Sequence, residues 1–435
     1  MKEIIIVGAG AAGMMAAISA SGQKNEKRGK DKVRVTIIEK NDRPGKKIYI
    51  TGKGRCNITN SCPPEDFLSS VVTNPRFLYS SFAGWNNEDM IRFLNEQGLE
   101  TKEERGRRIF PVSDHSSDVI RTLRKACQDR GVHFLFDQEA EEILFDPSGK
   151  CVTGLKLSDG RELHCDSLIL ACGGCSYPST GSDGSGWRIA AGAGHKIKAP
   201  QPSLVPFVME ETWCRDLMGL TLKNVSLTLK TGKKTIYEGF GEMLFTHFGI
   251  SGPLVLTAST CLGKYQKQLK EGKIRCIINF KPALSQEVLD QRLLREFDTW
   301  RNKNISSVTE QLLPKKLVPV FLDYCDIASN KKVRDITKKE RIRMREALHS
   351  FEMRLKATRG FGEAIVTRGG VDVRGVNPST MESKLVKGLY FAGEMLDVDA
   401  VTGGFNLQIA WSTGHAAGEA AARALTEEKS LENHS

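Results

Sequence analysis

Long apolar segments are absent from this sequence of 435 residues. No apolar run approaches the roughly 20 residues that a membrane-spanning helix needs. The first three residues lead directly into a short apolar run that ends in a glycine loop, which is not the pattern of a secretory signal peptide. We therefore expect a cytoplasmic protein with no membrane partner.

Paired metal-ligand spacings are also missing. The eleven cysteines are scattered along the chain without the spacing of a zinc site, and most should be free thiols in a reducing compartment. No tract of low complexity is present, and 40% of the residues are hydrophobic while 26% are charged. The composition predicts a globular protein of two or three domains without a metal ion.

Positive charge is in excess, with a formal net charge of +11 and a pI of about 9.0. It is concentrated in residues 21–34 and residues 331–345. A charged run is most often a solvated face, whereas an RNA contact is the functional alternative. The excess also suits an anionic cofactor or substrate.

The N-terminal residues have the pattern of a dinucleotide-binding half-site. Residues 3–7 predict a buried strand, Gly8, Gly10 and Gly13 follow at G-x-G-x-x-G spacing, and residues 11–20 predict a helix. The glycines allow a tight turn, close approach to a pyrophosphate and close packing of helix on strand. A second predicted strand, 33–38, ends at Glu39, whose carboxylate is suited to the ribose hydroxyls of FAD or NAD.

The choice between the two dinucleotides depends on residues near the other end of the chain. Residues 388–394 predict a strand and a glycine turn followed by Glu394, and residues 401–406 open a helix. This pattern resembles the second flavin motif of the glutathione-reductase-type fold, in which an acidic side chain binds the ribityl chain. Residues 168–174 resemble the strand and turn that close such a domain. We therefore predict FAD.

Three further segments extend the resemblance to nearly the whole chain. Residues 43–60, 245–253 and 367–371 closely resemble the BaiN/YhiN-like flavoprotein family, and residues 52–60 are the most specific of them. The resemblance implies an α/β fold: a glutathione-reductase-type, Rossmann-like FAD-binding domain with an inserted β-barrel and a small helical subdomain. The expected boundaries are 1–193 and 357–435 for the FAD domain, 194–280 and 345–356 for the barrel, and 281–344 for the helical insert.

These motifs and the resemblance together predict a set of FAD-binding residues. They are Gly8, Ala9, Gly10, Ala11, Ala12, Gly13, Glu39, Lys40, Lys46, Lys47, Cys56, Asn57, Thr59, Asn60, Ala140, Cys172, Gly173, Gly174, Gly393, Glu394, Gly403, Gly404, Phe405, Asn406 and Leu407.

Candidates for catalysis are fewer. Cys56 is a candidate proton donor, or else a small side chain packed beside the flavin, and His247 is the best imidazole for a general acid, or else a structural histidine. Arg55, with Lys53 and Arg368, is a candidate clamp for an anion or a carbonyl. Cys172 and Cys175 form a redox pair or, more simply, a structural turn beside the cofactor.

No second strand–glycine–helix unit follows, so a dedicated NAD(P)H domain is not expected and any NAD(P)H would dock transiently as the reductant. The resemblance implies three activities: reduction of a 3-oxo-Δ4 or Δ6 steroid enone, reduction of uridine in ribosomal RNA to dihydrouridine, and oxidation of a small amine such as aminoacetone. The first two share hydride transfer from flavin N5, and the basic charge favours RNA. A flavin-bound protein that senses redox state or binds a partner without turnover is the alternative of another class.

Overall fold

The computed structural model describes residues 1–22 and 33–432, with side-chain surroundings given as far as residue 427. The chain divides into two compact units. Unit 1 comprises Met1–Ser203 and Phe361–Ser435, and unit 2 comprises Leu204–Gly360. Much of the first basic segment, residues 23–32, lies outside the described residues, so its predicted RNA contact has no structural description.

Strands are distributed over both units. They are β1 (Glu3–Val7), β2 (Arg34–Ile38), β3 (Thr59–Asn60), β4 (Thr101–Glu104), β5 (Arg108–Pro111), β6 (His133–Leu135), β7 (Ala140–Phe145), β8 (Val152–Leu157), β9 (Glu162–His164), β10 (Ser167–Leu170), β11 (Ile197–Ser203), β12 (Phe207–Met209), β13 (Thr221–Thr231), β14 (Lys234–Thr246), β15 (Gly249–Ser251), β16 (Ile274–Asn279), β17 (Phe351–Thr358), β18 (Val366–Val371) and β19 (Leu389–Phe391).

Helices alternate with these strands in unit 1 and cluster late in unit 2. They are α1 (Ala11–Ser21), α2 (Lys46–Ile50), α3 (Pro64–Ser69), α4 (Tyr79–Gly84), α5 (Asn87–Glu96), α6 (Ser116–Asp129), α7 (Ser185–Gly192), α8 (Pro253–Thr260), α9 (Gln266–Lys270), α10 (Gln286–Thr299), α11 (Ile305–Thr309), α12 (Val318–Tyr324), α13 (Lys338–His349) and α14 (Phe405–Glu432).

Unit 1 is built on a parallel sheet with the strand order β19-β10-β1-β2-β6. Strand β1 lies in the middle, where Ile4, Ile5 and Ile6 are at most 2% exposed, because a central parallel strand is covered on both faces. Its register places Val7 beside Leu170 on one side and Ile38 on the other. The carboxyl ends of β1, β2, β10 and β19 therefore meet at one edge, which is where ligands bind in open α/β sheets.

Helices α1 and α14 pack closely against each other in unit 1. A Cβ added to Gly414 would lie 2.4 Å from the carbonyl oxygen of Ala12, and one added to Gly418 would lie 2.1 Å from that of Ala16. Real Cβ atoms do not approach other atoms so closely. The two glycines therefore allow the backbones of the two helices to touch.

Unit 2 contains a closed barrel with the strand order β12-β15-β14-β13-β16-β17. Alternate residues of β13, including Val225, Leu227 and Leu229, point inward and are at most 3% exposed. Helices α10 to α13 follow β16 in sequence and share one apolar core with the barrel. In the described part of the chain, no helix is both long and apolar enough to cross a membrane.

The first boundary between the units lies later than residue 193. Strand β11 pairs antiparallel with β18, so residues 197–203 belong to unit 1 rather than to the barrel. Pro200 and Pro202 hide this strand in the sequence, because proline cannot donate to a strand ladder. The return to unit 1 is at Phe361, four residues after the predicted 357. The predicted division of unit 2 into a barrel domain and a separate helical subdomain stays a prediction.

Candidate functional site

The glycines of the loop after β1 have two different roles, one in packing and one in leaving space open. A Cβ on Gly8 would lie 2.6 Å from the Ala171 carbonyl oxygen, and one on Gly13 would lie 1.8 Å from the Gly8 carbonyl oxygen. These two glycines are therefore required for packing. A Cβ on Gly10 would meet nothing within 4 Å, and Gly10 lines a cavity of about 1340 Å³, part of which is open to solvent. Gly10 thus keeps clear the space in front of the α1 N-terminus, where phosphates bind in related loops.

Glu39 stands at the end of β2 and is 9% exposed. One carboxylate oxygen accepts a hydrogen bond of 2.8 Å from the Ala9 N–H, and the other accepts from the backbone and side-chain nitrogens of Asn41 at 2.9 and 2.6 Å. A carboxylate offers about four acceptor positions. One position therefore remains for a ribose hydroxyl, and the bonds that are formed fix the orientation of the carboxylate.

Glu394 follows β19 and lines the same cavity. One of its oxygens forms a 2.5 Å ion pair with Lys47 Nζ, and the other accepts hydrogen bonds from the Ser176 hydroxyl at 3.0 Å and the Thr367 N–H at 2.6 Å. Lys47 also donates to Ser176 at 2.5 Å. Three groups, from the segments around Lys47, Ser176 and Thr367, therefore hold this carboxylate in one position.

The N-terminal turn of α14 also borders the cavity, through Asn406, Leu407, Ile409 and Ala410. The side chain of Asn406 is engaged with the preceding loop: it accepts from the Ala400 N–H at 3.0 Å and donates to the Ala400 carbonyl at 2.9 Å. Its side chain therefore positions the loop. The helix N-terminus remains a source of partial positive charge toward the cavity.

The cavity brings together most of the predicted FAD-binding residues from both ends of the chain. Those that line it are Gly8, Gly10, Ala11, Ala12, Glu39, Lys40, Lys46, Lys47, Ala140, Cys172, Gly173, Gly393, Glu394, Asn406 and Leu407. The predicted residues that do not line it are Ala9, Gly13, Cys56, Asn57, Thr59, Asn60, Gly174, Gly403, Gly404 and Phe405. Several of the latter support the site: Thr59 donates to Gln408 at 2.8 Å and Asn60 donates to the Gly403 carbonyl at 3.1 Å.

Cys56 does not line the cavity, although it was a candidate proton donor. Its thiol is fully buried, and this burial raises its pKa to about 12. The backbone of Cys56 is left-handed, with φ of 61°, in a loop where Lys53 also has a positive φ of 59°. The alternative interpretation, a small side chain packed beside the flavin, stays a prediction.

Arg55 is committed to ion pairs rather than free to clamp a substrate. Its guanidinium donates to Asp114 at 2.8 Å and also binds Glu104, and it lies over the Phe110 ring at 4.2 Å. The hydrogen bond from Arg55 lowers the pKa of Glu104, and those from Lys102 and Arg55 lower that of Asp114. Arg55 therefore ties the 51–56 loop to β4 and to the turn after β5.

The other candidates are placed as follows. His247 lies exposed in unit 2, with its ring edge-on to Phe248 at 4.9 Å, and its catalytic role stays a prediction. Cys172 and Cys175 are free thiols, and the Cys172 thiol donates to the Val7 carbonyl at 3.7 Å. Burial raises the pKa of Cys172 to about 12, which disfavours the thiolate that redox exchange requires.

The glycine-rich segment before α7 is a part of the site that the sequence reasoning missed. Thr180, Gly181, Ser182 and Ser185 line the cavity. No strand directly precedes this segment, so its glycines do not form a strand–glycine–helix unit that would reveal it in the sequence. Gln138 and Glu139, just before β7, also line the cavity without any sequence signal. No group of side chains in residues 1–22 and 33–427 has the arrangement of a metal site.

Comparison with known proteins places this geometry in a family. The protein-family model described as HI0933-like protein Rossmann domain matches residues 2–420 of this chain. The chain belongs to this family. The predicted resemblance and the predicted fold, a Rossmann-like α/β domain of the FAD-binding type with an inserted β-barrel, are thus confirmed.

Two relatives match this chain over almost its full length. A 3-dehydro-bile acid delta(4,6)-reductase of Clostridium scindens is 31% identical over 422 residues, covering 97% of this chain and 99% of that protein. A ribosomal RNA dihydrouridine synthase of Haemophilus influenzae is 32% identical over 418 residues, covering 95% and 97%. The fold resembles that of the 3-ketosteroid delta1-dehydrogenase of Sterolibacterium denitrificans, with a TM-score of 0.52, 14% identity and coverage of 98% and 100%.

Proposed function

We propose that this chain is an FAD-dependent oxidoreductase that reduces an activated carbon–carbon double bond. The observation that carries the proposal is the cavity of unit 1, which is lined by Glu39 at the end of β2 and by Glu394 after β19. The names of the two relatives, a delta(4,6)-reductase and a dihydrouridine synthase, fit this chemistry.

The residues of the cavity suit FAD. Gly10 leaves room for the pyrophosphate, Glu39 has an acceptor position for the adenosine ribose, and Glu394 and Lys47 are suited to the polar ribityl chain. Bound FAD would supply hydride transfer, whereas the chain supplies binding, orientation and charge. The α14 N-terminus would stabilise negative charge on the ring system.

A matched pair of glycine substitutions tests the cofactor assignment. Gly10→Val fills only the space in front of α1, so we expect a folded protein that purifies with less than a tenth of the wild-type flavin. Gly84→Ala is the control, because a Cβ there also meets nothing within 4 Å and Gly84 does not line the cavity. Flavin per chain is measured by absorbance after heat release. Wild-type flavin content in a folded Gly10→Val variant would remove FAD from this cavity.

We propose NADH or NADPH as the reductant, docking transiently at the flavin. Mixing the holoprotein with each nucleotide under anaerobic conditions should bleach the flavin absorbance near 450 nm, the usual flavin band. Absence of bleaching with both nucleotides would favour a flavin-bound protein without this turnover.

Uridine in ribosomal RNA is the substrate that we propose first, because the relative named as a ribosomal RNA dihydrouridine synthase is 32% identical to this chain and the net charge is +11. This substrate would place the protein in the cytoplasm. A steroid enone is the second candidate, since the bile-acid reductase is an equally similar relative. Mapping dihydrouridine in total RNA from a deletion strain separates them: a lost dihydrouridine supports RNA, and an unchanged map together with turnover of a 3-oxo-Δ4 steroid supports the enone.

A further inference from the structure

The turn that follows α10 lies beside the segment that leads into α13 in unit 2. The Val333 N–H donates to the Lys303 carbonyl at 3.0 Å. The Arg334 N–H donates to the Arg301 carbonyl at 3.1 Å. Both segments carry lysine and arginine, so this pairing joins basic residues that are far apart in the sequence. The basic surface is therefore larger than residues 331–345 alone.

Six exposed side chains of these two segments and of the first turn of α13 form what we call the basic face. They are Trp300, Arg301, Lys303, Lys332, Lys338 and Lys339. No ion pair joins any of its five cations to another described residue. Two nearby carboxylates have cations of their own: Glu340 binds Lys331 at 2.7 Å, and Asp335 lies 3.9 Å from Arg334. Asp298, in the last turn of α10, is an exposed opposing charge, and it leaves the basic face with a positive net charge.

Trp300 places an aromatic ring among these cations. The structure describes all five tryptophans of the chain, and Trp300, which is 38% exposed, is the exposed one among them. A nucleobase stacks on the flat face of an indole, while lysine and arginine bind the phosphates of the strand. A duplex presents its phosphates but keeps its base faces stacked inside, so an aromatic side chain among cations favours a single strand.

We propose that the basic face binds single-stranded RNA, with one base stacked on Trp300 and the phosphates on either side of it bound by the five cations. The charge complementarity between the face and a phosphate backbone is the ground for choosing this partner. The inference rests on the proposed function, because it concerns the ribosomal RNA that is proposed there as the substrate. It assigns to unit 2 the binding of a strand, whereas the flavin chemistry belongs to the cavity of unit 1.

Charge and stacking contribute to the affinity in ways that can be measured separately. Each phosphate that is neutralised on a single strand adds about −0.7 to the slope of log affinity against log salt, so five cations predict a slope of about −3.5. Stacking of one base on an aromatic side chain strengthens binding by about 5- to 150-fold. Stacking involves no counterion, so its loss should weaken binding without changing the slope.

Fluorescence anisotropy of the holoprotein with a labelled oligouridine of about 20 nucleotides, in about 50 to 200 mM KCl, tests the charge contribution. The double variant Arg301→Ala/Lys303→Ala should have a slope that is flatter by about 1.4, because two cations are lost. Lys267→Ala/Lys270→Ala is the matched control. These two lysines of α9 are also exposed in unit 2 and have no ion pair with another described residue, so the slope should stay at the wild-type value.

Trp300→Ala tests the stacking contribution. It should bind oligouridine about 5- to 150-fold more weakly with an unchanged slope, and Trp300→Phe should retain most of the affinity. Phe240→Ala is the aromatic control, since Phe240 on β14 is 61% exposed and its loss should not affect binding. Heparin is a polyanion without bases. Trp300→Ala should therefore elute from heparin at the wild-type salt concentration, and Arg301→Ala/Lys303→Ala should elute earlier.

Several results would overturn the proposal. They are wild-type affinity of Trp300→Ala for oligouridine, a wild-type slope in Arg301→Ala/Lys303→Ala, and tighter binding of the wild type to an RNA duplex of the same length. Binding of phosphatidylserine vesicles without binding of oligouridine would assign the basic face to a membrane and would also overturn it. Failure of the proposed function is distinct, because it is measured by flavin content and by bleaching with NADH or NADPH, both of which these variants should retain.

Discussion

Gly418→Ala provides a sharp test of how closely the two long helices of unit 1 pack. The added methyl group would lie 2.1 Å from the Ala16 carbonyl oxygen, whereas ordinary contacts of this kind are at least 3.0 Å. Both atoms belong to the backbone or are bonded to it directly, so neither can rotate away. The helices must therefore separate by about 1 Å, in a core where packing has the density of an organic crystal.

Two opposing contributions set the magnitude. Overpacking of a tight core costs about 1–3 kcal/mol and occasionally more, and a clash of backbone with backbone belongs at the upper end. Alanine gains about 1 kcal/mol over glycine in a helix interior, which opposes this cost. We therefore expect the free energy of unfolding to fall by about 2 kcal/mol or more.

Urea denaturation, followed by tryptophan fluorescence, measures this change, since Trp411 in α14 is fully buried. Gly192→Ala in α7 is the control, because a Cβ there meets nothing within 4 Å and no stability should be lost. If Gly418→Ala unfolds at the wild-type urea concentration while Gly192→Ala behaves as expected, the close contact of α1 and α14 is refuted.

Two further predictions concern the 51–56 loop. Because Cys56 is buried and does not line the cavity, Cys56→Ser should retain turnover within about threefold of wild type. The thiol of native Cys56 should likewise resist alkylation by iodoacetamide. A loss of turnover of about 100-fold or more would restore Cys56 as the acid, since general acids contribute about 10²–10⁴ in rate. Because the folded-state pKa values of Glu104 and Asp114 are lowered, their stabilisation is present above about pH 4 and is lost as the pH falls through the folded values. The melting temperature, measured from pH 6 to pH 3, should therefore fall less steeply in Arg55→Ala than in wild type. Parallel curves of melting temperature against pH would show that these ion pairs are not the cause of the decrease.

The two ends of the cavity were predictable because their chemistry depends on short, regular patterns. A glycine loop between strand and helix, with Glu39 at the end of the next strand, has few alternative structures. Glu394 was predicted for the same reason, since it follows a short buried strand and precedes a glycine turn and a helix. What the patterns did not reveal is that Lys47, Ser176 and the Thr367 N–H hold Glu394. The contacts of Lys47 and Ser176 with Glu394 join segments more than a hundred residues apart.

The errors have equally local causes. Strand β11 was missed because its residues include Pro200 and Pro202, and it tolerates them as an irregular strand with a bulge between Lys198 and Gln201. The sequence shows the neighbours of Cys56 but not its left-handed backbone, which leaves it outside the cavity lining, and its role as a proton donor stays a prediction. Thr180, Gly181 and Ser182 line the cavity without forming a recognisable dinucleotide motif, so the sequence did not reveal them.

The formal charge of the basic segment 331–345 overstates how many of its side chains are available to bind RNA. Five of its eight basic side chains form ion pairs within the described structure: Lys331, Arg334, Arg341, Arg343 and Arg345. Lys332, Lys338 and Lys339 are exposed, and no ion pair joins them to another described residue. A cation that is already paired releases fewer counterions when it meets a phosphate, so formal charge overstates the footprint. RNA binding through this segment alone would then involve about three phosphates, with a slope of log affinity against log salt of about −2 to −3. A steeper measured slope would require further cations elsewhere in the chain, and residues 21–34 contain the other basic concentration in the sequence.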